Sequence, residues 1–229
     1  MFENQRVCAL LLMAGSGYRF GDDVPKQFQL LSAKEVFRYA LETMVDSNFF
    51  EEIVLVTHPE WMDIADLPEY VKVVPGGKTR QESSFIGLQS VTEIPDIVLI
   101  HEAARPFVTE EILRQNILGA LKYGAVDTCI PTADTLNLSN DGKEVQSIPS
   151  GKTFFRGQTP QTFSYDVILE AHKKALQDGI EDASDDCQLA LRFGKKVYII
   201  PGSEDNLKIT SEFDLKIAEV FINPLLLPK

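Results

Sequence analysis

Short, uninterrupted apolar runs rich in β-branched residues recur along the chain, and they constrain its fold more than any other feature. They are Val7 to Met13, Ile53 to Thr57, Val71 to Val74, Ile97 to Ile100, Ala125 to Ile130 and Val197 to Pro201. Several lack polar alternation, and a strand with no wet face must be buried on both sides, as in a mostly parallel sheet covered by helices. Helical patterns fill the gaps: Val36 to Asp46, Gln81 to Ser90 and Thr109 to Tyr123. Thr109 stands where a side-chain oxygen can cap the third of these, and Glu110 and Glu111 put negative charge in its first turn, where the helix dipole favours it. Helix Tyr165 to Asp178, helix Asp185 to Arg192, a last strand and helix Ser211 to Phe221 complete the pattern. It predicts a three-layer α/β/α arrangement in which residues 1–229 form one domain.

The segment from Asp134 to Phe163 breaks the alternation. A strand-like run, the turn signal Asn140-Asp141-Gly142, a second strand-like run through Ile148 and then Pro149-Ser150-Gly151 read as a projecting β-arm at about 134–163, too thin for its own core. The pattern serves equally an arm traded between subunits and a hairpin folded onto its own sheet.

Composition narrows the function. At 229 residues, 44% hydrophobic and 24% charged, the chain has the make-up of a globular protein with a sizeable core, which excludes disorder and low complexity. Its longest apolar run, Val7 to Ala14, is far short of the roughly 20 residues a spanning helix needs. Glu3 before that run and the glycines after it argue against a signal peptide, so the expectation is a cytoplasmic protein. Cys8, Cys129 and Cys187 are odd in number and dispersed, as structural thiols in a reducing compartment are. His58, His101 and His172 show no zinc-ligand spacing. The net charge of −12 repels nucleic acid and anionic membrane, so neither is an expected partner, and an anionic substrate must be captured by a local basic cluster.

Parallel sheets bind ligands beyond the carboxyl ends of their strands, which directs the search to the loops after Met13, Val74 and Ile100. The first holds Ala14-Gly15-Ser16-Gly17-Tyr18-Arg19-Phe20-Gly21, then Pro25-Lys26-Gln27-Phe28. Glycines there let backbone N–H groups wrap a phosphate, and Arg19 and Lys26 would neutralise it. The spacing matches neither a Walker A loop nor the dinucleotide fingerprint. The second loop is Pro75-Gly76-Gly77-Lys78-Thr79-Arg80, with Ser83 and Ser84 one turn on; alone it is a weak signal, since paired glycines are usually just a turn. The third, His101-Glu102-Ala103-Ala104-Arg105-Pro106, offers in Glu102 a carboxylate suited to magnesium beside phosphates. Asp205-Asn206-Leu207-Lys208-Ile209-Thr210 adds a second carboxylate, Asp205, and another lysine.

Together with Gln158-Thr159-Pro160-Gln161, these motifs span the chain in order and closely resemble the sugar-phosphate cytidylyltransferases. That group holds the 2-C-methyl-D-erythritol 4-phosphate cytidylyltransferases of non-mevalonate isoprenoid synthesis and the ribitol-5-phosphate cytidylyltransferases. The resemblance implies a Rossmann-like nucleotidyltransferase fold, CTP and a sugar-alcohol phosphate as substrates, Mg2+ as cofactor, and a homodimer through the β-arm. It implies that Arg19, Lys26 and Lys208 are catalytic, stabilising charge on the α-phosphate. Backbone at Ala14, Gly15, Ser16 and Gly17 would hold the triphosphate, while Gly77, Arg80, Ser83 and Ala103 would bind the rest of the nucleotide. Arg105, Thr135, Thr159 and Asp185 match sugar-phosphate positions, and Glu102 and Asp205 the metal.

Two departures stand out. The family usually has aspartate where this chain has Glu102, one methylene longer, and an arm arginine where it has Gly151, a place Lys152 would take. Between acceptors, Gly124 to Thr128, Ile148-Pro149 and Gly157 to Gln161 lean toward the ribitol enzymes, whereas the methylerythritol enzyme is the commoner and the favoured reading. A non-catalytic nucleotide-binding module is the remaining alternative, opposed by the joint presence of Arg19, Lys26 and Lys208.

Overall fold

A computed structural model describes residues 2, 5–15 and 24–223. In chain order the elements are β1 (Val7–Met13), the hairpin β2 (Leu30–Leu31) and β3 (Lys34–Glu35), α1 (Val36–Ser47), β4 (Glu52–Thr57), β5 (Val71–Pro75), α2 (Arg80–Ser90) and β6 (Ile97–Glu102). They continue with α3 (Glu110–Tyr123), β7 (Ala125–Pro131), β8 (Phe155–Ser164), α4 (Tyr165–Gln177), α5 (Asp186–Arg192), β9 (Tyr198–Pro201) and α6 (Glu212–Ile222). Among the described residues, seven strands form one sheet in the order β5-β4-β1-β6-β8-β7-β9. Neighbours run parallel, apart from the two pairs made by β8.

The apolar runs are buried on both faces. On β1, Val7, Ala9, Leu11 and Met13 pack with Phe37 and Met44 of α1 and Leu113 and Ile117 of α3. Cys8, Leu10 and Leu12 face the other way, into a cluster with Leu88 of α2, Ile168 of α4 and Leu189 of α5. That split of odd and even residues is the three-layer α/β/α fold, and burying each such side chain contributes roughly 1.5–3 kcal/mol.

Helix starts follow the capping residues. Thr109 Oγ1 accepts from Ile112 N at 3.3 Å, and α3 ends at Gly124, whose φ of 82° lies in the left-handed region that glycine tolerates. Thr79 caps α2, Asp185 caps α5, and Ser211 forms a reciprocal capping box with Asp214 on α6.

The projecting arm is shorter than the sequence pattern predicts. Its last third, Phe155 onward, is β8, an interior strand of the sheet, with Gln161 opposite Ile100 on one side and Thr162 opposite Val126 on the other. Gln158, Thr159, Gln161 and Thr162 look like arm residues because they are polar. They are buried, and partners drawn from distant parts of the chain satisfy them: Asn206, His101, Asp127 and Asn116. What projects is 132–154, where Leu138 and Ser147 make an isolated bridge and the turn forms at Asn140-Asp141-Gly142 as the sequence predicts. Because β8 runs antiparallel, its first half lies at the carboxyl edge of β6, which places Thr159 beside Glu102.

Candidate active site

Four loops meet at the carboxyl edge of the sheet. The glycine loop leaves β1 with the Met13 and Gly15 carbonyls both accepting from Gln27 Nε2, the latter at 3.0 Å. Gln27 is buried on the one-turn 3-10 helix Lys26–Phe28, whose Phe28 ring stacks on Trp61 with centroids 4.6 Å apart. Aromatic packing and one amide therefore fix Lys26 in register with the loop. Ser16, Gly17 and Arg19 lie outside the described residues. The loop after β5 comes so close to β1 that a Cβ on Gly76 would sit 2.3 Å from Ala14 Cβ, so glycine there is a packing requirement. Gly77 N then donates to Ser83 Oγ at 3.1 Å.

Glu102, at the end of β6, is the electrostatic centre. Lys208 Nζ lies 2.7 Å and Arg105 Nε 3.8 Å from its Oε2, with Arg80 Nε 3.5 Å from its Oε1. Burial alone would raise the Glu102 carboxyl, but Lys208, followed by Arg80 and Arg105, outweighs it and holds the group below the usual carboxylate range. Lys208 is aimed by its neighbours. Asn206 Nδ2 donates to Thr159 O at 2.8 Å, Ile209 N donates to Ala104 O at 2.8 Å, and Ile209 is buried against Leu31 and Val36, so the lysine is stretched between two anchors.

Beneath this cluster the polar atoms are interlocked. Burial pushes the His101 imidazole down to about 4, the hydrogen bond to the Arg105 carbonyl opposing it, so the ring is neutral near pH 7. Its Nε2 faces Arg105 O at 3.0 Å and must be the protonated nitrogen, which leaves Nδ1 to accept from the Thr159 hydroxyl at 2.9 Å. Thr159 Oγ1 in turn accepts from Glu102 N at 3.1 Å. Arg105 donates to the carbonyls of Asn206 (2.8 Å) and Gly157 (3.3 Å). Ala103 N is engaged by Leu12 O at 3.0 Å.

The family resemblance sets the pair Asp185-Asp186 near the sugar hydroxyls, but no sequence pattern shows that Asp186 lies behind Arg80. Its Nη1 donates to the fully buried Asp186 at 2.8 Å, and Asp186 also meets Ser84 and His172. Asp185, the predicted sugar-phosphate residue, is the N-cap of α5, its Oδ1 accepting from Gln188 N at 2.8 Å. Gln27 and Asn206 stand inside motifs quoted for their lysines, and their anchoring roles need the folded geometry to be seen. On the arm, Thr135 and Lys152 line a cleft of about 540 Å³ with Asp134 and Ser150, and no hydrogen bond or ion pair among the described residues joins them to the Glu102 cluster.

A glycine loop, a Gly-Gly turn and a lysine and two arginines converging on one carboxylate are an arrangement suited to a polyanion. The model of the 2-C-methyl-D-erythritol 4-phosphate cytidylyltransferase family matches residues 7–224. The chain belongs to that family. A 2-C-methyl-D-erythritol 4-phosphate cytidylyltransferase from Clostridium novyi is 37% identical over 221 residues, covering 93% of this chain and 94% of its own. One of that name from Clostridium botulinum is 34% identical over 223 residues, covering 94% and 97%. The crystal structure of a 4-diphosphocytidyl-2C-methyl-D-erythritol synthase from Anaerococcus prevotii superposes with a TM-score of 0.84 at 28% identity, covering 95% of this chain and 98% of that one. The 2-C-methyl-D-erythritol 4-phosphate cytidylyltransferase structure from Thermus thermophilus gives 0.79 at 29% identity, covering 94% and 98%.

Cytidylyltransferase chemistry in this family raises the question of magnesium. Among the described residues no group of three or more histidine, cysteine or carboxylate side chains is arranged around a metal. Magnesium uses one or two carboxylates and fills its remaining positions with water and substrate phosphates. The ionised Glu102 at the strand end and the exposed Asp205, three residues before Lys208, fit that donor set. Among the described residues no helix is long and apolar enough to cross a membrane.

Proposed function

We propose that this chain transfers the cytidylyl group of CTP to 2-C-methyl-D-erythritol 4-phosphate, giving CDP-methylerythritol and pyrophosphate for isoprenoid synthesis. A phosphate oxygen of the acceptor bonds to the α-phosphorus of CTP as the bond to the β-phosphate bridging oxygen breaks, and pyrophosphate departs. The nucleophile is already ionised at neutral pH, so no general base is needed. The protein's task is to bring two polyanions together and to neutralise charge that builds on the α- and β-phosphates. Lys208 carries the proposal: it sits beside the glycine loop's end of the sheet, held at 2.7 Å by Glu102, as an oriented ammonium. Lys26 and Arg19 complete the cationic set. Arg80, Gly77 and Ser83 take the nucleoside, and Ala14 to Gly17 the triphosphate. Arg105 and Thr159 serve the acceptor's phosphate side.

Magnesium, held in this reading by Glu102, Asp205 and the nucleotide's phosphates, supplies further charge neutralisation when bound. A homodimer is part of the same reading. The arm exposes Leu138, Val145, Ile148 and Phe154 with little of its own to bury them against, which supports a second copy as their cover and Thr135 and Lys152 as contributions to the neighbouring site. Three buried free thiols support a cytoplasmic setting.

The test is pyrophosphate release from CTP and Mg2+ with 2-C-methyl-D-erythritol 4-phosphate, run beside ribitol 5-phosphate. Turnover with the first and its loss on chelating the metal are expected. A clear preference for ribitol 5-phosphate, or no turnover with either, would overturn the assignment.

A further inference from the structure

Asp186 carries a carboxylate with no solvent exposure, and such a group is tolerated only when it is paired and fully hydrogen-bonded. Its two oxygens have divided duties. Oδ2 accepts from Arg80 Nη1 at 2.8 Å. Oδ1 accepts from Ser84 Oγ at 2.7 Å and lies 2.8 Å from His172 Nε2. A carboxylate oxygen only accepts, so His172 Nε2 carries a proton and donates it. Gln161 completes the hold by accepting from Asp186 N at 3.0 Å. His172 belongs to α4, is itself buried, and lies flat against Phe85 with ring planes 8° apart. Asp186 lies between it and Arg80, so His172 acts on Arg80 through a neighbour.

Arg80 is the beneficiary. Its Nη2 is buried and has no partner among the described residues, although a buried guanidinium N–H demands an acceptor. We propose that His172 is a positioning residue for the nucleotide: by donating to Asp186 it fixes the carboxylate that holds Arg80, and so keeps the Arg80 guanidinium in the place from which it serves the nucleotide site. This rests on the cytidylyltransferase reading above. Ser84 on α2 and His172 on α4 grip Oδ1 from two different helices, and that double grip stops the carboxylate from rotating. Without His172 the carboxylate turns about its last bond, Oδ2 leaves Nη1, and Arg80 moves to Glu102 Oε1, already 3.5 Å from its Nε, in competition with Lys208.

The test compares His172→Leu with His172→Gln, whose amide N–H reaches toward the same oxygen. Steady-state kinetics are run with each substrate varied, alongside calorimetric CTP binding. For His172→Leu the KM and Kd for CTP should rise about tenfold, the loss of one hydrogen bond to a charged group, while the KM for the sugar phosphate stays within about twofold. His172→Gln should return CTP affinity to within about threefold of the parent, because it restores that hydrogen bond. Equal defects in the two variants, parallel rises in both KM values, or unchanged CTP affinity in His172→Leu would overturn the proposal. If His172→Leu does not fold, Ser84→Ala removes the other donor to Oδ1 and leaves α4 intact. It should weaken CTP binding about threefold, and an unchanged Kd would be equally fatal. A parent protein that binds CTP but turns over no methylerythritol phosphate sinks the acceptor assignment, and the binding measurement still decides the role of His172.

Discussion

The seam where β6, β8 and the loop after β9 meet carries polar residues of the same kinds as the arm, yet the two are physical opposites. In the seam, Thr159 bonds His101 and Glu102, Asn206 bonds Thr159, and Arg105 bonds Gly157 and Asn206, partners that lie tens of residues apart in the chain. In the arm the side-chain hydrogen bonds are local: Asp141 accepts from Lys143 N and Glu144 N, and Thr153 donates to Ser150 O. Polarity therefore says little about exposure. What buries a polar strand is a complete set of partners, and only the tertiary fold assembles one.

Two aspartates show the contrast in one residue type. Asp186 and Asp141 are both held below the usual carboxylate range. At Asp186, burial would raise the group and Arg80, then His172 and Ser84, overcome it. At Asp141, the backbone N–H groups of Lys143 and Glu144 do the work in full contact with water. The first interaction stands in a low-dielectric interior and stabilises the fold, whereas water replaces the second when it is lost.

The largest expected effect lies in the seam's chemistry. Lys208→Ala should lower kcat by about 10²–10³-fold, as for removal of one preorganised charge from a transition state, with little change in melting temperature because the side chain is a third exposed. A variant that keeps near-parental kcat would remove Lys208 from the cationic set. Next comes stability. Asp186→Asn should cost about 3–5 kcal/mol in urea unfolding at pH 7, because it strands the buried Arg80 guanidinium. Asp141→Asn should leave the urea midpoint where it was. The pH dependence has a definite sign. A carboxyl with a lowered folded pKa contributes fully above its unfolded value near 4, and the contribution disappears as pH falls through the folded pKa. The stability gap between the parent and Asp186→Asn should accordingly begin to narrow only below about pH 4 and close as pH falls through the much lower folded value. A gap that does not narrow there would mean packing, not charge, is what the substitution disturbs.

The smallest effect belongs to the arm. Lys152→Ala should raise the KM for the sugar phosphate several-fold and leave the KM for CTP and the melting temperature alone. Mixing Lys152→Ala subunits with Lys26→Ala subunits sharpens the comparison. If the arm serves the neighbouring site, a mixed dimer holds one site with both defects and one with neither, and activity returns. If the arm serves its own chain, every site keeps one defect and no rescue appears.

The strands and helices were written in local pattern. Val7 to Met13 is apolar without interruption, so it must be buried on both faces. Thr109 and Ser211 start helices because their side chains satisfy orphan N–H groups of the first turn. The glycine loop, the Gly-Gly turn and the lysine motifs announce a phosphate site in the same way, through backbone freedom and charge that any sequence displays openly. Tertiary structure alone decided that Phe155–Ser164 runs antiparallel between β6 and β7, and that the arm ends sooner than its polar residues imply. It also decided that Arg80 meets Asp186, 106 residues away, with His172 behind it. Helical periodicity, capping and turn formation act over a few residues, so a window of sequence contains both partners. A buried ion pair between distant segments has its partners chosen by packing, and no local window contains them both.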